Sequence, residues 1–280
     1  MNHPDVASPS PADGLAVVVV AAGSGTRLGY GLPKALVPLA GEPLLAHALR
    51  TVREALPAAA VLVTVPAADT ELTALARRMG ARAVTGGASR AQSVARALAA
   101  LPASTEHVLV HDAARCLTPP AVFARVLAAL REGARAVVPV TPVTDTIRGA
   151  DAEGRSTGTV DRSVLRGVQT PQGFDAALLR RVNRAAGLLP HESAGADDAA
   201  LSASAGDTAA TGGTGAAGSS ASASGTDPEG ITDDASLVEH HAPEHPVRFV
   251  DGDEESFKVT RPLDLVLARA VVDSRAGRAE

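Results

Sequence analysis

The chain has 280 residues, a formal net charge of −5 and a single cysteine, Cys116. That length fits one large domain or two small ones. The lone cysteine excludes a disulfide framework and a cysteine-based zinc cluster, the acidic balance without a basic block speaks against nucleic acid or a membrane surface as partner, and no apolar run approaches the roughly 20 residues of a bilayer span. Aromatic residues make up only 2%. Any core must therefore be built from Ala, Val and Leu, which suits helices packed on a buried, mostly parallel sheet.

Residues 1–13, rich in Pro, Ser and Asp, read as a disordered leader without the pattern of a signal peptide, so the cytoplasm is the expected compartment. The aliphatic run Leu15–Ala22 predicts a buried central strand. Further strands are expected at Val61–Val65, His107–Val110 and Ala136–Val140. Helical spacing lies between them. Val94, Leu98 and Leu101 share one face, as do Phe123, Val126, Leu127 and Leu130 behind Pro119-Pro120. Leu263, Val266, Leu267 and Ala270 repeat the pattern behind Pro262 and predict another core-facing helix. Alternating strands and helices imply right-handed βαβ units, hence an α/β fold: a Rossmann-like three-layer sandwich with a mostly parallel twisted sheet.

Two segments interrupt the alternation. Residues 141–166 alternate β-branched and polar residues around a glycine turn and predict a protruding β-arm. Residues 193–226 are almost entirely Ala, Gly, Ser and Thr. They cannot bury enough apolar surface to offset ordering, so a disordered, dispensable insertion is expected. The organisation is then one domain over 14–273, carrying the arm and the insertion, with a tail at 274–280.

The chemistry concentrates in a few places. The first strand ends in Ala21-Ala22-Gly23-Ser24-Gly25-Thr26-Arg27-Leu28-Gly29, followed by Pro33-Lys34. A glycine turn after a buried strand presents backbone N–H groups to phosphate oxygens. Neither the dinucleotide fingerprint nor the Walker pattern is satisfied. Instead Arg27 closes the loop and Lys34 follows, two cations suited to a triphosphate and its developing charge. A surface turn with two solvated cations is the alternative. Of the 26 basic residues only two, Lys34 and Lys258, are lysine, and one of them falls here. Asp112 sits at the carboxyl end of a strand, where open α/β sheets bind ligands. A carboxylate there can hold Mg²⁺, accept from substrate hydroxyls, or cap the following helix, and Arg115 can pair with a phosphate. Thr146, Arg162 and Thr170 carry donors of the kind that hold a phosphate monoester. Cys116 reads as packing filler, and His240, His241 and His245 as a solvated cluster. Glu254 and Glu255 precede Lys258 with only a weak claim on a metal.

Taken in order, these segments resemble a known family. The glycine loop with Pro33-Lys34 is similar to that of nucleotidyltransferases activating sugar and polyol phosphates. Gly86-Gly87-Ala88-Ser89-Arg90-Ala91-Gln92-Ser93-Val94, His111-Asp112-Ala113-Ala114-Arg115, Asp145-Thr146-Ile147, Asp161-Arg162, Gln169-Thr170-Pro171-Gln172-Gly173-Phe174, Thr232-Asp233-Asp234-Ala235-Ser236 and Lys258-Val259-Thr260-Arg261-Pro262 narrow the resemblance to the 2-C-methyl-D-erythritol 4-phosphate cytidylyltransferase family. The resemblance implies transfer of CMP from CTP to the polyol phosphate. It implies Arg27, Lys34 and Lys258 as catalytic cations, and Ala21, Ala22, Gly23, Ser24, Gly25, Gly87, Arg90, Ser93 and Asp112 around the nucleotide. Asp112, Arg115, Thr146, Arg162, Thr170, Thr232 and Asp233 would hold the acceptor, with Mg²⁺ on the triphosphate and Asp112 as a candidate ligand to it. It also implies a homodimer in which the β-arm brings Thr146 and Arg162 to the partner's site. A ribitol-5-phosphate cytidylyltransferase and a catalytically silent nucleotide-binding regulator are the alternatives. Ala88 and the 193–226 insertion depart from the family pattern, and Ala88 leaves base selection to backbone groups.

Overall fold

The computed structural model describes residues 14–23, 25, 28–190 and 232–278. The leader at 1–13, the insertion at 193–226 and the site residues Ser24 and Arg27 lie outside the described residues.

Strand β1 (Leu15–Val20) leads through the glycine turn into a short antiparallel pair, β2 (Pro38–Leu39) and β3 (Glu42–Pro43). Then follow α1 (Leu44–Ala55), β4 (Ala60–Val65), α2 (Thr70–Arg78), β5 (Arg82–Thr85), α3 (Arg90–Ala99), β6 (His107–Asp112), α4 (Pro120–Arg131) and β7 (Ala136–Pro142). Beyond β7 come β8 (Ile147–Ala150), β9 (Ser156–Val160), β10 (Arg166–Val168), β11 (Gln172–Asp175) and α5 (Ala176–Ala185). The last described elements are α6 (Asp234–His241), β12 (Arg248–Asp251) and α7 (Pro262–Gly277).

β1 is central because every residue from Leu15 to Val19 is apolar and buried. It pairs in parallel with β4 on one side and β6 on the other, Val18 lying between Leu62 and Val110. β5 extends the parallel part beyond β4. On the far side of β6, β11 runs antiparallel between β6 and β7; β10 continues beside β7, and β12 pairs in parallel with β7. The two-residue period of β1 divides the core. Leu15, Val17 and Val19 join Leu45, Leu49, Leu72 and Phe123 from α1, α2 and α4. Ala16 and Val18 join Val94, Leu98, Leu178 and Leu237 from α3, α5 and α6. Helices thus cover both faces of a mostly parallel sheet, which is the α/β sandwich expected from the sequence.

A third cluster lies beyond the sheet, where Val259 and Ala268 pack on Leu28, Val37, Leu39 and Leu117. Here the expected face of α7 is corrected. Leu263, Val266 and Leu267, expected to face the core, are 75%, 66% and 51% exposed, while Ala268 is buried. Leu265, Val271 and Val272 pack beside Ala268 instead. The helix is apolar around most of its girth, so spacing alone does not fix which stripe turns inward. The helix also continues to Gly277, past the domain boundary expected at 273.

The segment read as a β-arm leaves the sheet between β7 and β10. β8 and β9 form a separate two-stranded hairpin, Ile147 opposite Val160 and Gly149 opposite Gly158. Its turn closes on Asp151, whose Oδ1 accepts from the Glu153 and Arg155 N–H groups at 3.1 and 2.8 Å. Residues 141–142 and 166, at the two ends of the predicted arm, belong to strands of the main sheet.

Candidate active site

The carboxyl ends of β1 and β6 open onto a cavity of about 440 Å³. Ala21, Ala22, Gly23, Gly25, Lys34, Gly87, Arg90, Ser93, Asp112 and Lys258 all line it, with Ala88, Ser89 and Thr260 among the remaining wall.

The glycine turn wraps around the backbone of Lys34. The Lys34 N–H donates to the Gly23 carbonyl at 3.2 Å, and the Leu28 N–H to that of Gly25 at 2.9 Å. Gly25 has φ +71, and a Cβ there would stand 2.8 Å from Lys34 Cα. Positive φ and this approach together require glycine. A second loop, residues 86–89, is folded by the start of α3. Ser93 Oγ accepts from the Gly87 N–H at 3.0 Å and donates to the Ser89 carbonyl at 2.9 Å. Gln92 Oε1 accepts from the Ala88 N–H at 2.9 Å, and Ser89 caps the helix through the Gln92 N–H. A Cβ on Gly86 would meet Ala22 Cβ at 2.8 Å, so that glycine lets the two loops close on each other.

Charge alternates across the floor. Lys258 Nζ lies 2.8 Å from Asp112 Oδ2, Arg90 Nε 3.2 Å from Asp112 Oδ1, and Arg90 Nη1 2.7 Å from Asp234 Oδ2. Burial would raise the Asp112 carboxyl, but Arg90 and Lys258 outweigh it and hold it well below the usual carboxylate range. For Arg90, burial pulls downward while Asp234 and Asp112 pull harder upward, so the guanidinium stays charged. The Lys258 segment is fixed by the Val259 N–H, which donates to the Ala114 carbonyl at 2.9 Å. Both Asp112 oxygens are thus taken by cations, and the described residues hold no group of three or more His, Cys, Asp or Glu that could bind a metal. The described residues form no metal site of their own; a divalent cation would be held chiefly by the triphosphate, with Asp112 able to join it only once Lys258 has moved away.

Among the described residues, the other expected site residues, Arg115, Thr146, Arg162, Thr170, Thr232 and Asp233, do not line this cavity. Arg115 braces the scaffold, Nη1 donating to the Ser256 carbonyl at 2.7 Å and Nη2 to that of Val168 at 3.0 Å. Thr170 is buried; its hydroxyl accepts the Asp112 N–H at 3.1 Å and lies 3.0 Å from His111 Nδ1. Burial pushes the His111 imidazole down to about 4, so the ring is neutral and packs tilted against Phe123. Asp233 caps α6: Oδ1 accepts from the Ser236 N–H at 2.9 Å, and Oδ2 from Gln172 Nε2 at 2.7 Å. Thr232 is exposed. Thr146 and Arg162 are exposed at the hairpin base, with the Arg162 guanidinium on the Thr144 carbonyl. Asp234 is a site residue that the sequence reading does not single out. The signal is the pair of adjacent carboxylates in Thr232-Asp233-Asp234, of which one caps a helix and the other reaches Arg90. Cys116 is buried, its thiol pushed up to about 12 by burial. Among the described residues, no helix is long and apolar enough to cross a membrane.

Known proteins are similar to this one along nearly the whole chain. The model of the family "IspD: 2-C-methyl-D-erythritol 4-phosphate cytidylyltransferase" matches residues 15–212 and 218–274. The chain is similar to a protein named 2-C-methyl-D-erythritol 4-phosphate cytidylyltransferase from Nocardia farcinica, 42% identical over 267 residues, covering 94% of this chain and 96% of the relative. A relative of the same name from Rhodococcus jostii is 42% identical over 269 residues, covering 95% and 99%. Among solved structures, a 2-C-methyl-D-erythritol 4-phosphate cytidylyltransferase from Thermus thermophilus superposes with a TM-score of 0.63 at 34% identity, covering 91% of this chain and 98% of that one. By the family model, which spans most of its length, and by relatives 42% identical over nearly their whole length, the chain belongs to the 2-C-methyl-D-erythritol 4-phosphate cytidylyltransferase family.

Proposed function

We propose that the protein transfers CMP from CTP to 2-C-methyl-D-erythritol 4-phosphate, releasing pyrophosphate. The observation that carries this reading is the single cavity in which the glycine turn, Lys34, Lys258 and the Arg90–Asp112 pair meet. An oxygen of the acceptor's phosphate attacks the α-phosphorus of CTP in line, and the bond to the β-phosphate oxygen breaks. The attacking group is already anionic, so no protein nucleophile is required. The protein positions both phosphates and stabilises the charge that builds as pyrophosphate departs. Lys34 and Lys258 supply that stabilisation from the two walls, together with Arg27. The backbone of the turn at Gly23 and Gly25 cradles the triphosphate, and the loop at Gly87 and Ala88 faces the base. Lys258 has to exchange Asp112 for phosphate, and the carboxylate then becomes an acceptor for substrate hydroxyls. A divalent cation would arrive with the triphosphate as part of the substrate.

The acceptor's own phosphate requires further donors, which we assign to Thr146 and Arg162 of a second copy. Exposed apolar residues at the arm, Val160 and Val164, support a homodimer. A cytoplasmic location belongs to the same proposal. The test is pyrophosphate release by the purified chain from CTP with methylerythritol phosphate or ribitol 5-phosphate as separate acceptors. Turnover with methylerythritol phosphate alone supports the reading; turnover only with ribitol 5-phosphate, or none with either, refutes it.

A further inference from the structure

Asp234 opens α6, yet unlike most charged residues in a first helical turn it is only 1% exposed. Its carboxylate meets a guanidinium from the first turn of α3, Arg90 Nη1, at 2.7 Å. Arg90 is shared: its Nε is on Asp112, and its Nη2 has no partner among the described residues. A guanidinium held by one carboxylate alone can swing to grip it with both forks. With a carboxylate on each side it cannot. The segment that carries Asp234 is itself tied to β11, because Gln172 Nε2 donates to Asp233 and Gln172 Oε1 accepts from the Ala235 N–H at 3.3 Å.

We propose that Asp234 is a positioning residue for nucleotide binding. Its buried carboxylate stops Arg90 from collapsing onto Asp112, and so keeps Asp112 able to exchange Lys258 with an incoming triphosphate. The inference rests on the reading of this cavity as the nucleotide site. Removing the charge lets Arg90 close bidentately on Asp112, crowding the floor where the nucleotide lies.

The test uses the full chain. CMP affinity is measured by calorimetry, and KM for CTP and kcat from pyrophosphate release. Asp234→Asn keeps the shape and loses the charge; Asp234→Glu keeps the charge. Losing a hydrogen bond between charged groups predicts that Asp234→Asn weakens CMP binding and raises KM for CTP by about tenfold, with kcat within about threefold, and that Asp234→Glu restores most of the affinity. CMP binding within about twofold in Asp234→Asn, or equal losses in both variants, overturns the inference. Should Asp234→Asn not fold, Arg90→Gln is compared with Arg90→Gln/Asp234→Asn, which leaves no buried charge unpaired in this pair. Equal CMP affinity of the two supports action through Arg90, and a further tenfold fall overturns it. A chain that binds CMP but releases no pyrophosphate with any acceptor refutes the proposed function, while the affinities still decide the role of Asp234.

Discussion

Lys258→Ala should separate catalysis from stability. The ammonium lies 2.8 Å from Asp112 Oδ2, but the lysine side chain is 44% exposed against 10% for Asp112. An ion pair with one arm in solvent contributes at most about 1 kcal/mol to folding. Removing Lys258 also leaves Arg90 Nε 3.2 Å from the other carboxylate oxygen, so the full penalty for an orphaned buried charge, about 3–5 kcal/mol, does not apply. At roughly 2–4 °C per kcal/mol for a domain of this size, the midpoint of thermal unfolding should fall by no more than about 4 °C. The loss in turnover should be far larger. A preorganised donor aimed at developing charge is worth about 2.7–4 kcal/mol, or about 10²–10³ in kcat. Steady-state pyrophosphate release and thermal unfolding at pH 7 measure both quantities. A kcat within tenfold of the unsubstituted chain would show that Lys258 is a surface charge that merely salt-bridges Asp112, and the catalytic argument would fail with it.

Three further outcomes are expected. Gly25→Ala forces a Cβ into a left-handed conformation and against Lys34 Cα at 2.8 Å; it should cost at least about 1–2 kcal/mol and raise KM for CTP, read by unfolding and kinetics. His111 is held down to about 4 by burial, whereas the unfolded ring titrates near 6.5. The unfolded state therefore binds the extra proton between these values, so the contribution is complete above pH 6.5 and declines toward pH 4, by on the order of 3 kcal/mol. Stability curves at pH 7 and 5 should converge in His111→Asn relative to the unsubstituted chain, and parallel curves would refute the assignment. Val164→Glu adds a charge at a 74% exposed position on the arm; it should leave the unfolding midpoint unchanged while shifting the mass in solution from dimer toward monomer, measured by light scattering.

Sequence and structure agree most closely where one physical demand fixes the residue. The β1 run can only be a strand buried on both faces, and Gly25 has to be glycine because the chain doubles back on Lys34. The rarity of lysine points to Lys34 and Lys258, which do share a cavity. Agreement ends where a side chain satisfies either a ligand or the protein itself. Arg115, Thr170 and Asp233 carry groups able to hold a phosphate or a hydroxyl, and motif spacing marks all three. In the fold, Arg115 braces two carbonyls, Thr170 receives the Asp112 N–H, and Asp233 caps a helix. The first two uses depend on partners 53 and 141 residues away for Arg115 and 58 for Thr170, which no local pattern encodes, whereas the Asp233 cap on Ser236 is local. The inward face of α7 escapes the sequence for a different reason: two apolar stripes compete for the inside, and the one around Ala268 packs with Leu39 and Leu117.

The way Lys258 is delivered has a temporal consequence. It reaches Asp112 only because Val259 is pinned to Ala114 and Arg275, near the end of α7, donates to the Leu117 carbonyl at 2.6 Å. A chain still emerging from the ribosome carries the glycine turn and Asp112 long before the segment that brings Lys258 to them. Turnover should therefore switch on late in synthesis, and a chain cut before residue 262, which keeps Lys258 but loses the helix that anchors its segment, should show a fall in kcat at least as large as that of Lys258→Ala.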